Sequence, residues 1–164
     1  MTDRFIFRGQ DLEGNTLRYG QLTIIEAENI HTPKGYYISN KSNMPYAYPI
    51  KPQTVGQCTG LKDKNGKLIF EGDVVTKRYI TPMGELTNET DVDFKKEIKF
   101  LNGCFGIYTN TEFKPLQDFI NCFKNYESYI PNCGYVIVYD DCNLEIIGNV
   151  YENPELLEAN NVNL

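Results

Sequence analysis

Five cysteines, one histidine and three carboxylate pairs are the residues of this chain whose types could do chemistry, and their spacing limits which chemistry is open. Cys58, Cys104, Cys122, Cys133 and Cys142 are separated by 46, 18, 11 and 9 positions, so no C-x2-C pair exists to start a zinc site. The sole histidine, His31, stands in a Pro/Gly-rich segment far from all of them in sequence, and reads as a loop residue. An odd cysteine count excludes a complete intramolecular disulfide framework, which makes cytosolic thiols the simpler account. Cys104 and Cys122 sit in apolar patterns that suit small core residues better than nucleophiles.

Catalysis has no set of groups to work with. No Ser-x-Gly elbow or Cys motif accompanies His31. Neither G-x-G-x-x-G nor G-x4-G-K-[ST] can be placed between a strand and a helix, so nucleotide binding has no support and no cofactor is expected. Glu71 with Asp73, Asp91 with Asp93, and Asp140 with Asp141 could each flank a ligand, but turn carboxylates ordinarily bond local backbone. The expectation is a protein that is not an enzyme. Tyrosines are the better lead: Tyr36, Tyr37, Tyr46 and Tyr48 crowd a segment broken by Pro33, Pro45, Pro49 and Pro52. One brief strand cannot bury them all, so they are the expected interaction surface unless they cover the end of a barrel.

Composition narrows the partners. With 16 Lys+Arg against 22 Asp+Glu the net charge is −6, and the mean field repels phosphate backbones. Nucleic acid is therefore disfavoured, although Lys62, Lys64 and Lys67, or Lys95, Lys96 and Lys99, could form a local basic face. Met1 to Arg8 lacks an apolar core of signal-peptide length, and the longest apolar run, Tyr135 to Tyr139, is too short to span a bilayer. A soluble, unexported protein without a membrane partner is expected.

The elements that must carry these residues read mainly as strands, since the 164 residues are 41% apolar and include 12 Tyr and 9 Phe with no Trp. Phe5-Ile6-Phe7 and Leu22-Thr23-Ile24-Ile25 read as partner strands around Asp11–Gly20. That turn repeats after 52 residues as Asp63–Gly72, with Asp, Gly and Gly at identical offsets. Asn65-Gly66 is the dipeptide of a type I′ turn, and Asn102-Gly103 joins Glu97–Leu101 to Cys104–Tyr108 as a second hairpin. Leu116, Phe119, Ile120 and Phe123 fall at helical spacing after Pro115, so one helix is expected near 115–127. Tyr135–Tyr139 and Leu144–Tyr151 read as strands, and Asn153-Pro154 starts a short C-terminal helix.

Four segments resemble the YopX family of phage and prophage proteins: Arg4–Arg8, the run from Gln57 through Thr59–Lys67 to Glu71–Val75, Phe100–Phe105, and Glu145–Leu157. Phe70 stands where that family commonly carries Tyr, Ile6-Phe7 departs from its usual opening, and residues 15–53 and 76–96 are unmatched. The resemblance implies a mainly β phage protein of uncharacterised function and supplies no catalytic residues.

The combined expectation is mainly β and hairpin-rich, with residues 1–53 as an N-terminal β-hairpin unit carrying the Pro/Tyr-rich loop. Residues 54–159 then form a YopX-like domain, an SH3-like barrel or bent sheet covered by one helix. The expected role is a non-enzymatic accessory protein in the bacterial host cytoplasm, contacting an unidentified host or phage protein or a second copy of itself. The alternative is a nucleic-acid-binding regulator using the six lysines on a barrel face. Its binding would weaken steeply with salt, so a filter-binding titration at two ionic strengths separates it from protein contact.

Overall fold

The computed structural model describes residues 5–27, 33–39, 47–77, 94–109, 112–120, 123–130, 134–141 and 144–158. Most of them are strand, and the chain falls into two compact units, Met1–Leu61 with Leu68–Glu71, and Lys62–Lys67 with Gly72–Leu164.

The first unit is one six-stranded antiparallel sheet. Its strands are β1 (Phe7–Gln10), β2 (Leu17–Ile25), β3 (Gly35–Ser39), β4 (Ala47–Ile50), β5 (Gly56–Lys62) and β6 (Leu68–Phe70), in spatial order β4-β3-β2-β1-β5-β6. β5, which follows the expected boundary at residue 53, runs beside β1 with Phe7 opposite Gln57. Residues 17–20 pair with β1, whereas Leu22–Ile25, expected to do so, pair with β3. The short Asp11–Thr16 turn brings the chain straight back, so the first half of β2 meets β1 and its second half is left for β3. The sheet bends until Ile50 meets Asp11 in a single antiparallel bridge. Among the described residues no continuous ladder follows that contact, so this sheet is bent and not closed. The SH3-like barrel expected of residues 54–159 is corrected as well: β5 and β6 belong to this sheet, and the described strands after residue 72 fall into three separate antiparallel sheets that close no barrel. Ile38, Ile50, Cys58, Ile69 and Phe70 form its apolar interior. Arg8, only 3% exposed, donates from Nη2 to the Glu71 carbonyl at 2.9 Å and lies over the Phe70 ring.

In the second unit, β14 (Glu145–Asn149), β7 (Asp73–Thr76) and β8 (Lys95–Glu97) form one sheet in that order. β9 (Lys99–Leu101), β10 (Cys104–Tyr108) and β11 (Phe113–Pro115) form another, and β12 (Phe123–Ile130) pairs with β13 (Gly134–Asp141) over eight residues. Val74, Val75, Ile98, Ile107, Leu116 and Leu144 are buried, each contributing about 2 kcal/mol by leaving water. The helix expected near 115–127 is absent. Pro115 ends β11, Leu116–Phe119 make a single 3-10 turn, and Phe123 onward is strand. Leu116 and Phe119 stack on one side of that turn and are buried, which uses the apolar spacing without a longer helix. Tyr126 and Ile130 suit strands, and the eight-residue ladder with β13 outcompetes helix propensity. The short C-terminal helix forms as α1 (Glu155–Glu158), with the Asn153 carbonyl accepting from the Leu156 N–H at 3.1 Å.

The two Asn-Gly dipeptides make different turns. Asn102 and Gly103 have φ of 53° and 84°, the type I′ pattern, and close a two-residue loop between Leu101 and Cys104. Gly66 has φ of 80°, but Asn65 is not among the described non-glycine residues with positive φ, so the type I′ expectation there is corrected. The reason is Asp63: its carbonyl accepts from the Gly66 N–H at 2.9 Å, and its Oδ1 accepts from Asn65 and Lys67 N–H at 2.9 and 2.8 Å. These bonds hold a type I turn followed by a left-handed glycine. Oδ2 accepts from the Ile146 N–H at 3.2 Å, tying the turn to β14.

Asp63 is 7% exposed, and three backbone donors depend on it. Asp63→Ala should cost about 3 kcal/mol in urea unfolding, against about 1 kcal/mol for Gly66→Ala at its left-handed φ. A smaller loss for Asp63→Ala than for Gly66→Ala would mean that the carboxylate is not the anchor.

Candidate functional site

The turn after β1 is built as the turn after β5 is. Asp11 N–H donates to the Thr16 carbonyl at 3.0 Å, while Asp11 Oδ1 accepts from Gly14 and Thr16 N–H at 2.9 and 3.2 Å. Asn15, with φ of 56°, takes the left-handed position and accepts a hydrogen bond from the Lys51 ammonium. Asp11 Oδ2 is left for a long-range partner. Arg18, on β2, fills that role with Nε at 2.9 Å and Nη2 at 2.7 Å.

Arg18 also lies across the Tyr48 ring of β4, with Cζ 4.1 Å from the centroid. Backbone bonds hold β4 at this place: Leu12 N–H donates to Pro49 carbonyl at 3.1 Å and Lys51 N–H to Gln10 carbonyl at 2.9 Å. Thr54 locks the corner, its Oγ accepting from Gln10 N–H at 2.9 Å and donating to Lys51 carbonyl at 2.8 Å. The result is an open cleft of about 370 Å³ whose lining includes Asp11, Leu12, Glu13, Arg18, Tyr48 and Pro49. Chemically the cleft offers a flat aromatic–guanidinium stack, an apolar rim and one outer carboxylate, Glu13.

Of the four tyrosines expected to share a surface, three are among the described residues. Tyr48 lines the cleft; Tyr36 is half-buried on the same sheet face, since Ile38 pairs with Tyr48 and Tyr36 precedes it by two. Tyr37 points to the opposite face, is 8% exposed, and donates its hydroxyl to the Pro33 carbonyl at 2.8 Å. Tyr46 lies outside the described residues, as do His31, Asp91, Asp93, Cys122, Cys133 and Cys142. Cys58 is buried and Cys104 is half-buried. Among the described residues no group of three or more His, Cys, Asp or Glu could hold a metal ion, and no helix is long and apolar enough to cross a membrane.

Sequence reasoning did not place Asp11 and Arg18 at a site, although the repeated Asp-x-x-Gly layout was their signal. Of the lysines considered for phosphate, Lys64 Nζ pairs with Glu145 at 2.6 Å and Lys99 Nζ with Glu97 at 3.0 Å. Lys62 and Lys67 are exposed. In the second unit Phe100 is 51% and Tyr108 49% exposed. Their rings lean on Phe105 and Phe113 from opposite faces of the sheet, so they make no single patch.

The carboxyl of Asp11 is held below its ordinary value of 3.8, first by the Gly14 N–H and then by the Arg18 guanidinium. A depressed folded value means that Asp11 stabilises the fold at pH above the unfolded value. That contribution is lost as pH falls through the folded value. Stability should therefore decline as the medium is acidified from about pH 5 to about pH 2, and Asp11→Asn should flatten the decline. Urea midpoints across this range test it; parallel pH profiles for the two proteins would refute the role given to Asp11.

The sequence model of the family described as "YopX protein" matches residues 6–158. None of the curated proteins matches the chain. A solved structure described as "Crystal structure of protein EF1440 from Enterococcus faecalis" is similar at 19% identity, covering 92% of this chain and 96% of that one, with a TM-score of 0.46.

Proposed function

Because the chain belongs to the YopX family, we propose that it is a phage- or prophage-type accessory protein that acts by binding another protein and not by catalysis. The cleft of the first unit is the contact site, in the cytoplasm of a bacterial host. What supports this reading is the Arg18–Tyr48 stack, held in place by two Arg18–Asp11 bonds. Tyr and Arg dominate binding energy at protein interfaces, and here the pair is ordered before any partner arrives. Pro49 and Leu12 beside it supply the apolar rim, and Glu13 favours a partner with a basic group at that edge.

The alternative of phosphate binding through lysines is weakened by the carboxylates already paired with Lys64 and Lys99. A photo-crosslinking residue at position 48, expressed in the bacterial host, should trap one defined protein or a second copy of the chain. The same residue at exposed position 67 should not. Arg18→Ala should lower the yield, and Tyr48→Ala should weaken binding of the trapped partner by about 2 kcal/mol without unfolding the first unit. A light-scattering mass of one chain, 18.9 kDa, together with no adduct at position 48, would refute the proposal.

A further inference from the structure

The two Asn-Gly dipeptides share a sequence that is open to spontaneous deamidation, and the structure makes them unequal. We infer that Asn102 is a modification site, converting to aspartate and isoaspartate, while Asn65 is protected by its turn. In this reaction the backbone nitrogen of the following glycine attacks the asparagine Cγ. A new N–Cγ bond forms, the Cγ–Nδ2 bond breaks, and ammonia leaves with the glycine amide proton. Water then opens the five-membered succinimide at either carbonyl, giving the two acids.

Access does not separate the sites. All four residues are exposed, and a Cβ built on either Gly66 or Gly103 would meet nothing within 4 Å. Hydrogen bonding does. Gly66 is the fourth residue of its turn, and its N–H donates to the Asp63 carbonyl at 2.9 Å. Asp63 Oδ1 holds the Asn65 and Lys67 N–H groups on either side. The attacking nitrogen and the backbone that must rotate are thus both restrained. Gly103 is instead the third residue of its turn, outside the closing pair Leu101–Cys104. Its N–H takes no part in the bond that closes the loop.

Isoaspartate at position 102 would insert a methylene into a two-residue loop whose length sets the pairing of Phe100 with Phe105. It would also add a negative charge. The test is to age the full-length native protein at mildly alkaline pH and follow both sites by peptide mass mapping, with the urea-denatured chain in parallel. Asn102 should convert about tenfold faster than Asn65 in the native protein, the rate equivalent of one retained hydrogen bond. The two should convert at comparable rates when denatured, and Gly103→Ala should suppress the reaction at 102. The inference fails if native Asn65 keeps pace with Asn102. It fails equally if native Asn102 is inert while the denatured chain reacts, or if the tenfold difference persists after denaturation.

Discussion

A carboxylate that grips the backbone of its own turn is the constraint on which the rest depends. A reversal leaves several N–H groups pointing inward with no strand partner, and leaving them unmet in a buried corner is costly. Asp11 and Asp63 each satisfy two such donors with one oxygen, and each closes its loop by donating its own N–H to the far carbonyl. Register follows directly. Once the loop length is set, Gln10 must face Leu17, and every later pair along β1 and β2 is determined.

In the first unit this register places Arg18 opposite Gly9, within reach of the Asp11 oxygen that the turn leaves unused. The bend of the sheet then brings β4 alongside, and Gly9 permits it, since a Cβ there would lie 2.3 Å from the Ile50 side chain. Tyr48 thereby meets a guanidinium already oriented by a carboxylate. Neither the stack nor the cleft needs a dedicated element; both result from turn chemistry, one glycine and a bent sheet.

Much of this was legible in the residues. The mainly β character, the Asn102-Gly103 hairpin and the strands around Tyr135 and Ile146 follow from β-branched and aromatic runs between turn dipeptides. The helix after Pro115 was misread because Leu116, Phe119, Ile120 and Phe123 satisfy helical spacing locally, whereas only Leu116–Phe119 turn, as 3-10, and Phe123–Ile130 pair with the next strand, Gly134–Asp141. Asn65-Gly66 was misread as type I′ because the dipeptide rule ignores Asp63, whose side chain selects the other turn. The cleft could not be read at all. It joins residues 11–18 to 48–49, and sequence spacing carries no information on how far a sheet bends.

The repeat is therefore one of mechanism and not of role, and the difference lies in a single oxygen. In both turns Oδ1 serves the loop. In the first, Oδ2 takes a long, partly exposed side chain, Arg18, and the outcome is a charged, aromatic-backed surface facing solvent. In the second, Oδ2 takes the Ile146 N–H while the Lys64 N–H donates to the Leu144 carbonyl at 2.9 Å, so the turn covers backbone groups along β14. A strand edge so covered is closed to further pairing. The same local device thus produces an open, aromatic-backed cleft where its spare acceptor meets an arginine, and a sealed edge where it meets a main-chain amide.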